Sequence, residues 1–229
     1  MAPLLVFDLD GTLVDTAPDL MGTLNHVLET HGLPAAPAGE IMPFISGGAR
    51  RMIVAGAARS GSSLEDVELD RLFELFLEHY SQNICVKSRA FPGVLAAMDR
   101  LEAAGWRFAV CTNKRTETSR LLLSKLGILE RFAALLGVDA VERKKPDPGH
   151  LIATVEAAGG ETGTTLMIGD SAADIGAAKA ANVPVIGVTF GYSDRPVAEL
   201  APDFLLSDYA ELTVALAERL LARKAHGAA

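Results

Sequence analysis

Cysteine and aromatic side chains are scarce in this 229-residue chain, which has two cysteines, one tryptophan and an aromatic fraction of 6%. Cys85 and Cys111 lie far apart, with no CxxC or Cys/His spacing around them. That excludes a disulfide framework, a zinc knuckle and a dithiol redox motif, and leaves both as packed thiols. Positive charge is also short: 21 Lys and Arg stand against 29 Asp and Glu, for a formal charge of -8. General affinity for nucleic acid or anionic lipid needs clustered positive charge, so neither is expected as a partner. Long apolar runs are missing too. The run in the first 14 residues is broken by Asp8 and Asp10 before it could form a signal-peptide core or a membrane span, so a cytoplasmic location is expected. P-loop, GxSxG and HExxH motifs are absent, as are low-complexity tracts and short repeats. The tail from Ala222 onward reads as a fraying terminus.

What is present is a repeated alternation. The length allows an α/β domain, alone or with a smaller accessory unit. Short apolar runs at Leu4 to Asp8, Phe108 to Thr112, Leu135 to Val138, Thr165 to Gly169 and Val185 to Val188, with a weaker one at Phe204 to Leu206, have the form of strands buried on both faces of a parallel sheet. Helical patterns fall between and after them, at Val94 to Ala104, Thr116 to Leu126, Gly149 to Ala158, Ala172 to Ala181 and Ala210 to Ala222. This order predicts a doubly wound, Rossmann-like α/β core formed by residues 1-14 and 89-229. Residues 15-88 break the alternation and predict an inserted helical cap. Its first helix has Asp15 and Thr16 as candidate caps and Pro18 in the first turn, and its last carries Leu69, Leu72, Phe73, Phe76, Leu77 and Tyr80 at helical spacing. Between them, Gly47 and Gly48 precede Arg50 and Arg51.

Ligands of open parallel sheets bind outside the carboxyl ends of the strands. Here those ends read Asp8-Leu9-Asp10-Gly11-Thr12, Thr112-Asn113-Lys114 and Gly169-Asp170-Ser171-Ala172-Ala173-Asp174, and Lys145-Pro146 follows the third strand. Parallel, adjacent strands would gather Asp8, Asp10, Asp170 and Asp174 with Thr112, Asn113 and Lys145 in one crevice. Four carboxylates there would repel one another, and a hard cation with oxygen ligands, such as magnesium, resolves the conflict.

These residues resemble the four motifs of the haloacid dehalogenase-like superfamily of phosphohydrolases: Asp8-Leu9-Asp10-Gly11-Thr12, Thr112, Lys145 and Gly169-Asp170-Ser171-x-x-Asp174, in the expected order, with a helical cap between the first and second. The resemblance implies a nucleophilic Asp8 that carries the phosphoryl group, and an Asp10 that serves in turn as acid and base. It implies phosphate binding by the Thr112 hydroxyl, the Asn113 amide and Lys145, and magnesium held by Asp8, Asp170 and the Asp10 carbonyl, with Asp174 orienting a metal-bound water or Lys145. Haloalkanoate dehalogenases of this fold lack the second aspartate, which disfavours that activity here.

Softer likenesses point to bacterial phosphoglycolate phosphatases: His79-Tyr80, Asn83, Ser88 to Val94, Thr112-Asn113-Lys114, Arg143 to Pro148 and Gly191-Tyr192. They imply hydrolysis of 2-phosphoglycolate or a similar small phosphate ester; a monomer or homodimer is expected. Pyrophosphatase, β-phosphoglucomutase-like and non-catalytic phosphate-binding readings stand as alternatives. Asn182 occupies a helix end where many relatives have Gly, a position Asn tolerates. An anionic substrate on an acidic chain requires a local cation, for which Lys114 and one of Arg50 and Arg51 are the candidates; adjacent helical residues point about 100° apart, and Arg50, nearer the glycine pair, is favoured.

Overall fold

The computed structural model describes residues 2–226. The chain divides into two compact units, one of Met1–Asp15 with Ala90–Ala229 and the other of Thr16–Arg89. The sequence boundaries fall one residue earlier at each crossing.

The larger unit is built on six strands: β1 (Leu4–Phe7), β4 (Arg107–Cys111), β5 (Phe132–Leu136), β6 (Thr165–Gly169), β7 (Val185–Val188) and β8 (Phe204–Leu206). They lie in the order β5-β4-β1-β6-β7-β8, and every pair is parallel. Strands β1, β6 and β7 are buried along their whole length, which is why their sequences are apolar runs without alternation. Alternate residues still serve opposite faces. Leu4 and Val6 join Ala109, Cys111, Met167 and Val185 in a core shared with Leu151, Val155, Ile175 and Ala178. Those last four belong to α7 (Pro148–Ala157) and α8 (Ala172–Ala180). On the opposite side, Phe7 lies 6.1 Å from Phe108 and 6.4 Å from Phe132, centroid to centroid. Helices α5 (Val94–Ala103), α6 (Thr116–Lys125) and α9 (Val214–His226) complete the unit.

Two elements depart from the sequence reading. Strand β5 begins at Phe132 and ends at Leu136, three residues earlier than expected at its start, because Phe132 pairs with Phe108. The expected last helix is displaced as well. Asp208 caps a separate 3-10 turn at Tyr209–Glu211, Leu212 leaves helical geometry, and α9 starts at Val214 and runs to His226, past the expected onset of fraying. Residues 227–229 of that tail lie outside the described residues. Asn182 takes the left-handed conformation, with φ 54°, as its side chain allows.

The smaller unit holds α1 (Ala17–Thr30), α2 (Ala38–Ile45), α3 (Ala49–Ala58) and α4 (Asp66–Gln82). Leu20, Leu24, Val27 and Leu28 of α1 and Leu72, Phe76 and Tyr80 of α4 are buried at helical spacing. Thr16 stands at the N-cap of α1 without a capping side-chain bond. Asp19, one turn further on, is buried and accepts hydrogen bonds from the Lys87 amide (2.9 Å), the Ser88 amide (2.8 Å) and the Ser88 hydroxyl (2.7 Å). The start of the insert is thereby tied to its end. A two-stranded sheet of β2 (Val14–Asp15) and β3 (Arg89–Ala90) lies where the chain passes between the units.

Candidate active site

Strand order reverses direction about β1: the chain builds β4 and β5 on one side, then β6, β7 and β8 on the other. In open parallel sheets ligands bind at such a switch point, which here lies beyond the carboxyl ends of β1, β4 and β6. Asp8, Thr112 and Asp170 each follow one of those strands directly. The Asp8 amide still bonds to the Ile168 carbonyl at 2.9 Å, so its position is fixed by the sheet. The chain then turns sharply: Gly11 has φ 82°, its amide meets the Val14 carbonyl at 3.0 Å, and Leu9 accepts from both Leu13 and Val14. A left-handed conformation at Gly11 costs a side-chain-bearing residue energy, and a Cβ there would stand 2.5 Å from an Asp170 oxygen.

One lysine organises the carboxylates. Buried Lys145 Nζ lies 2.8 Å from Asp8 Oδ1, 2.6 Å from Asp174 Oδ1 and 2.5 Å from the Cys111 carbonyl. The other Asp174 oxygen accepts from the Ser171 amide (3.0 Å) and hydroxyl (2.5 Å), closing a capping box at the start of α8. Asp170 is held separately: Thr12 donates to Oδ1 at 3.1 Å, and the Tyr192 amide to Oδ2 at 2.6 Å. Oxygens of Asp8, Asp170 and Asp174 lie within 4.8 Å of one another. Burial, then the Asp174 charge, pushes the Asp8 carboxyl up to about 7, against the pull of Lys145. Asp170 is likewise pushed well above the ordinary carboxylate range by burial and by Asp174 and Asp8. Burial alone would lower the Lys145 pKa, but Asp174 and Asp8 raise it, keeping the ammonium charged.

Around this centre, the Thr112 hydroxyl accepts from the Lys114 amide at 3.2 Å. The Asn113 side-chain amide donates to the Lys145 carbonyl at 3.0 Å, holding the Lys145 loop against the end of β4. Lys114 Nζ reaches the two Asp10 oxygens at 3.0 and 3.2 Å. The larger unit thus brings together every site residue expected in the core. Arg50 belongs to the insert, where its guanidinium lies 2.6 Å from Asp70 and 4.4 Å over the Phe73 ring. Cys111 is buried and its thiol is pushed up to about 11 by burial, an inert packed group.

Several supporting residues carried no assigned role in the sequence. Tyr209 donates its hydroxyl to the Thr12 carbonyl at 2.9 Å, and Tyr192 donates its hydroxyl to Asp15. Gly191 lets its loop approach Asp170 so closely that a Cβ would lie 2.2 Å from the Asp170 Cβ. The Gly191-Tyr192 pair was visible as a likeness, but nothing in the sequence tied it to Asp170.

A doubly wound parallel sheet with a buried carboxylate–lysine cluster at its switch point defines an α/β enzyme core of the hydrolase type. The model of the haloacid dehalogenase-like hydrolases matches residues 5–188. The chain belongs to that family. A phosphoglycolate phosphatase of Mesorhizobium japonicum is 48% identical over 224 residues, spanning 98% of this chain and 99% of the relative. One of Agrobacterium fabrum is 43% identical over 228 residues, spanning 100% and 98%. Among solved structures, that of a predicted phosphoglycolate phosphatase from Haemophilus somnus superimposes with a TM-score of 0.85 at 32% identity, covering 92% of this chain and 96% of that one.

Proposed function

We propose that this chain is a magnesium-dependent phosphatase that hydrolyses a small phosphate monoester, with 2-phosphoglycolate the preferred substrate, through a phosphoryl group carried on Asp8. The observation that carries the reading is the pairing of Asp8 with Lys145 inside a buried carboxylate cluster, with Asp10 two residues on and bonded to its own lysine. The full-length relatives that are phosphoglycolate phosphatases supply the substrate.

An Asp8 oxygen attacks phosphorus as the bond to the leaving oxygen breaks, and Asp10 gives that oxygen a proton, releasing the alcohol. Water then gives a proton to Asp10 and attacks the same phosphorus. The bond to Asp8 breaks, and inorganic phosphate leaves with both carboxyl groups restored. The Thr112 hydroxyl accepts from the Lys114 amide, which leaves its own proton to be donated to a phosphoryl oxygen. The three N–H bonds of Lys145 already meet acceptors, so it contributes chiefly positive charge beside Asp8, and Asp174 holds it there.

The donor set suits a hard divalent cation: carboxylate oxygens, buried, with Asp8 and Asp170 both resisting ionisation for want of further positive charge. Asp8, Asp170 and the Asp10 carbonyl would hold it. Its chemistry would be to neutralise charge on the phosphoryl oxygens. Asp174 holds the Lys145 ammonium through Oδ1 and the start of α8 through Oδ2, which supports a role in orienting Lys145 beside Asp8. Arg50 is paired with Asp70 and stacked over Phe73 within the insert, and stands beside Lys114 as a candidate for binding the substrate carboxylate.

The test is phosphate release by the purified protein across 2-phosphoglycolate, pyrophosphate, β-glucose 1-phosphate and p-nitrophenyl phosphate, with magnesium and then with EDTA. The expected result is the highest kcat/KM on 2-phosphoglycolate, abolished by EDTA and restored by magnesium. Absence of phosphate release from every monoester would reject the reading.

A further inference from the structure

The Lys114 side chain is only 9% exposed, although it follows a strand end at the mouth of the crevice. Its backbone is fixed on both sides, the amide to Thr112 Oγ1 at 3.2 Å and the carbonyl to the Val138 amide at 3.0 Å. The ammonium is therefore delivered to one place, astride both oxygens of Asp10 at 3.0 and 3.2 Å. An ion pair at this site does more than offset local charge, because Asp10 is the group that must meet the leaving oxygen.

We propose that Lys114 is a specificity-determining residue that reads an anionic group on the leaving alcohol, bridging it to Asp10, so that the site selects phosphate esters of 2-hydroxy acids. The inference rests on the phosphatase reading above. An acid that protonates the leaving oxygen must come within about 3 Å of it. In an ester of a 2-hydroxy acid, the carboxylate carbon is two bonds from that same oxygen. A cation in contact with Asp10 is thus also within reach of the substrate carboxylate. A single ammonium can bridge two carboxylates, so Lys114 can stay beside Asp10 while its charge attracts that of the substrate. As a compact charge it sets no bidentate geometry, which suits a small, short ligand. An ester of an uncharged alcohol offers it no second carboxylate.

The test compares kcat/KM of the full-length protein, with magnesium, on 2-phosphoglycolate and on ethyl phosphate. Both leaving groups are two-carbon alcohols that need a proton from Asp10, and only one is anionic. Lys114→Met is expected to lower the ratio of the two by roughly 10- to 100-fold, the scale of a charge-assisted contact, with KM for 2-phosphoglycolate rising. Lys114→Arg should recover part of the ratio. Any loss common to both esters reports the hold on Asp10. An unchanged ratio in Lys114→Met overturns the proposal, and if that variant does not fold, the same ratio is read in Lys114→Gln. Failure of the wild-type protein to hydrolyse either ester would instead overturn the phosphatase reading, whereas normal wild-type turnover with an unchanged ratio in the variant removes only the role of Lys114.

Discussion

Lys145 has three N–H bonds and three acceptors within 2.8 Å, two of them carboxylates. One positive charge cannot balance Asp8, Asp170 and Asp174 together, and the imbalance appears on Asp8, pushed up to about 7 by burial and by Asp174. Its ordinary value is 3.8. A carboxyl raised on folding favours the folded state fully below the ordinary value, and that contribution is lost as pH rises through about 7. The metal-free protein is therefore expected to lose stability as pH rises across this window, and magnesium to restore it. Because binding the cation displaces the Asp8 proton, magnesium affinity should be tighter near pH 8 than near pH 6 by roughly tenfold or more. Titration calorimetry at the two pH values checks this, and equal affinities would contradict it. Asp8 and Asp170 were legible because each directly follows an apolar run, whereas Lys145 and Asp174 stood out through the motifs they resemble. Thr12, Tyr192 and Tyr209 were not assigned roles: Thr12 meets Asp170 from 158 positions away and Tyr209 meets Thr12 from 197 away, and no local pattern marks such a contact.

At the level of elements, the loop after β7 acts on the end of β6. Gly191 packs against Asp170, and the neighbouring Tyr192 amide bonds to Oδ2. A methyl group at Gly191 would have to displace Asp170, since the nearest atom would stand at 2.2 Å. Gly191→Ala should therefore weaken magnesium binding by roughly tenfold or more, on the scale reported for residues that orient metal ligands. Calorimetric titration of a variant that keeps its far-UV circular dichroism checks this; unaltered affinity would show that the loop does not position Asp170. Element boundaries were less legible than element types. The apolar stretch from Phe132 to Val138 is continuous, so composition alone could not show that pairing with Phe108 starts β5 at its first residue. Likewise, Asp208 and Glu211 form a capping box around a short 3-10 turn, and the helical periodicity that follows hides the break at Leu212.

For the molecule as a whole, the helical insert occupies Thr16–Arg89, while the residues expected to carry out the chemistry lie in the sheet-based unit, on both sides of the insertion in sequence. Asp8 precedes the insert; Thr112, Lys145 and Asp170 follow it. The order of strands restores their proximity, because β1 lies between β4 and β6. The resulting account makes Asp8 both the acceptor of the phosphoryl group and a holder of the cation. Asp8→Asn preserves the size of the side chain while removing its charge and its nucleophilic oxygen pair. The most direct measurement is kcat/KM of the purified, folded Asp8→Asn variant on 2-phosphoglycolate with saturating magnesium. The account predicts a loss of order 10³-fold or more relative to wild type; turnover near the wild-type rate would contradict it.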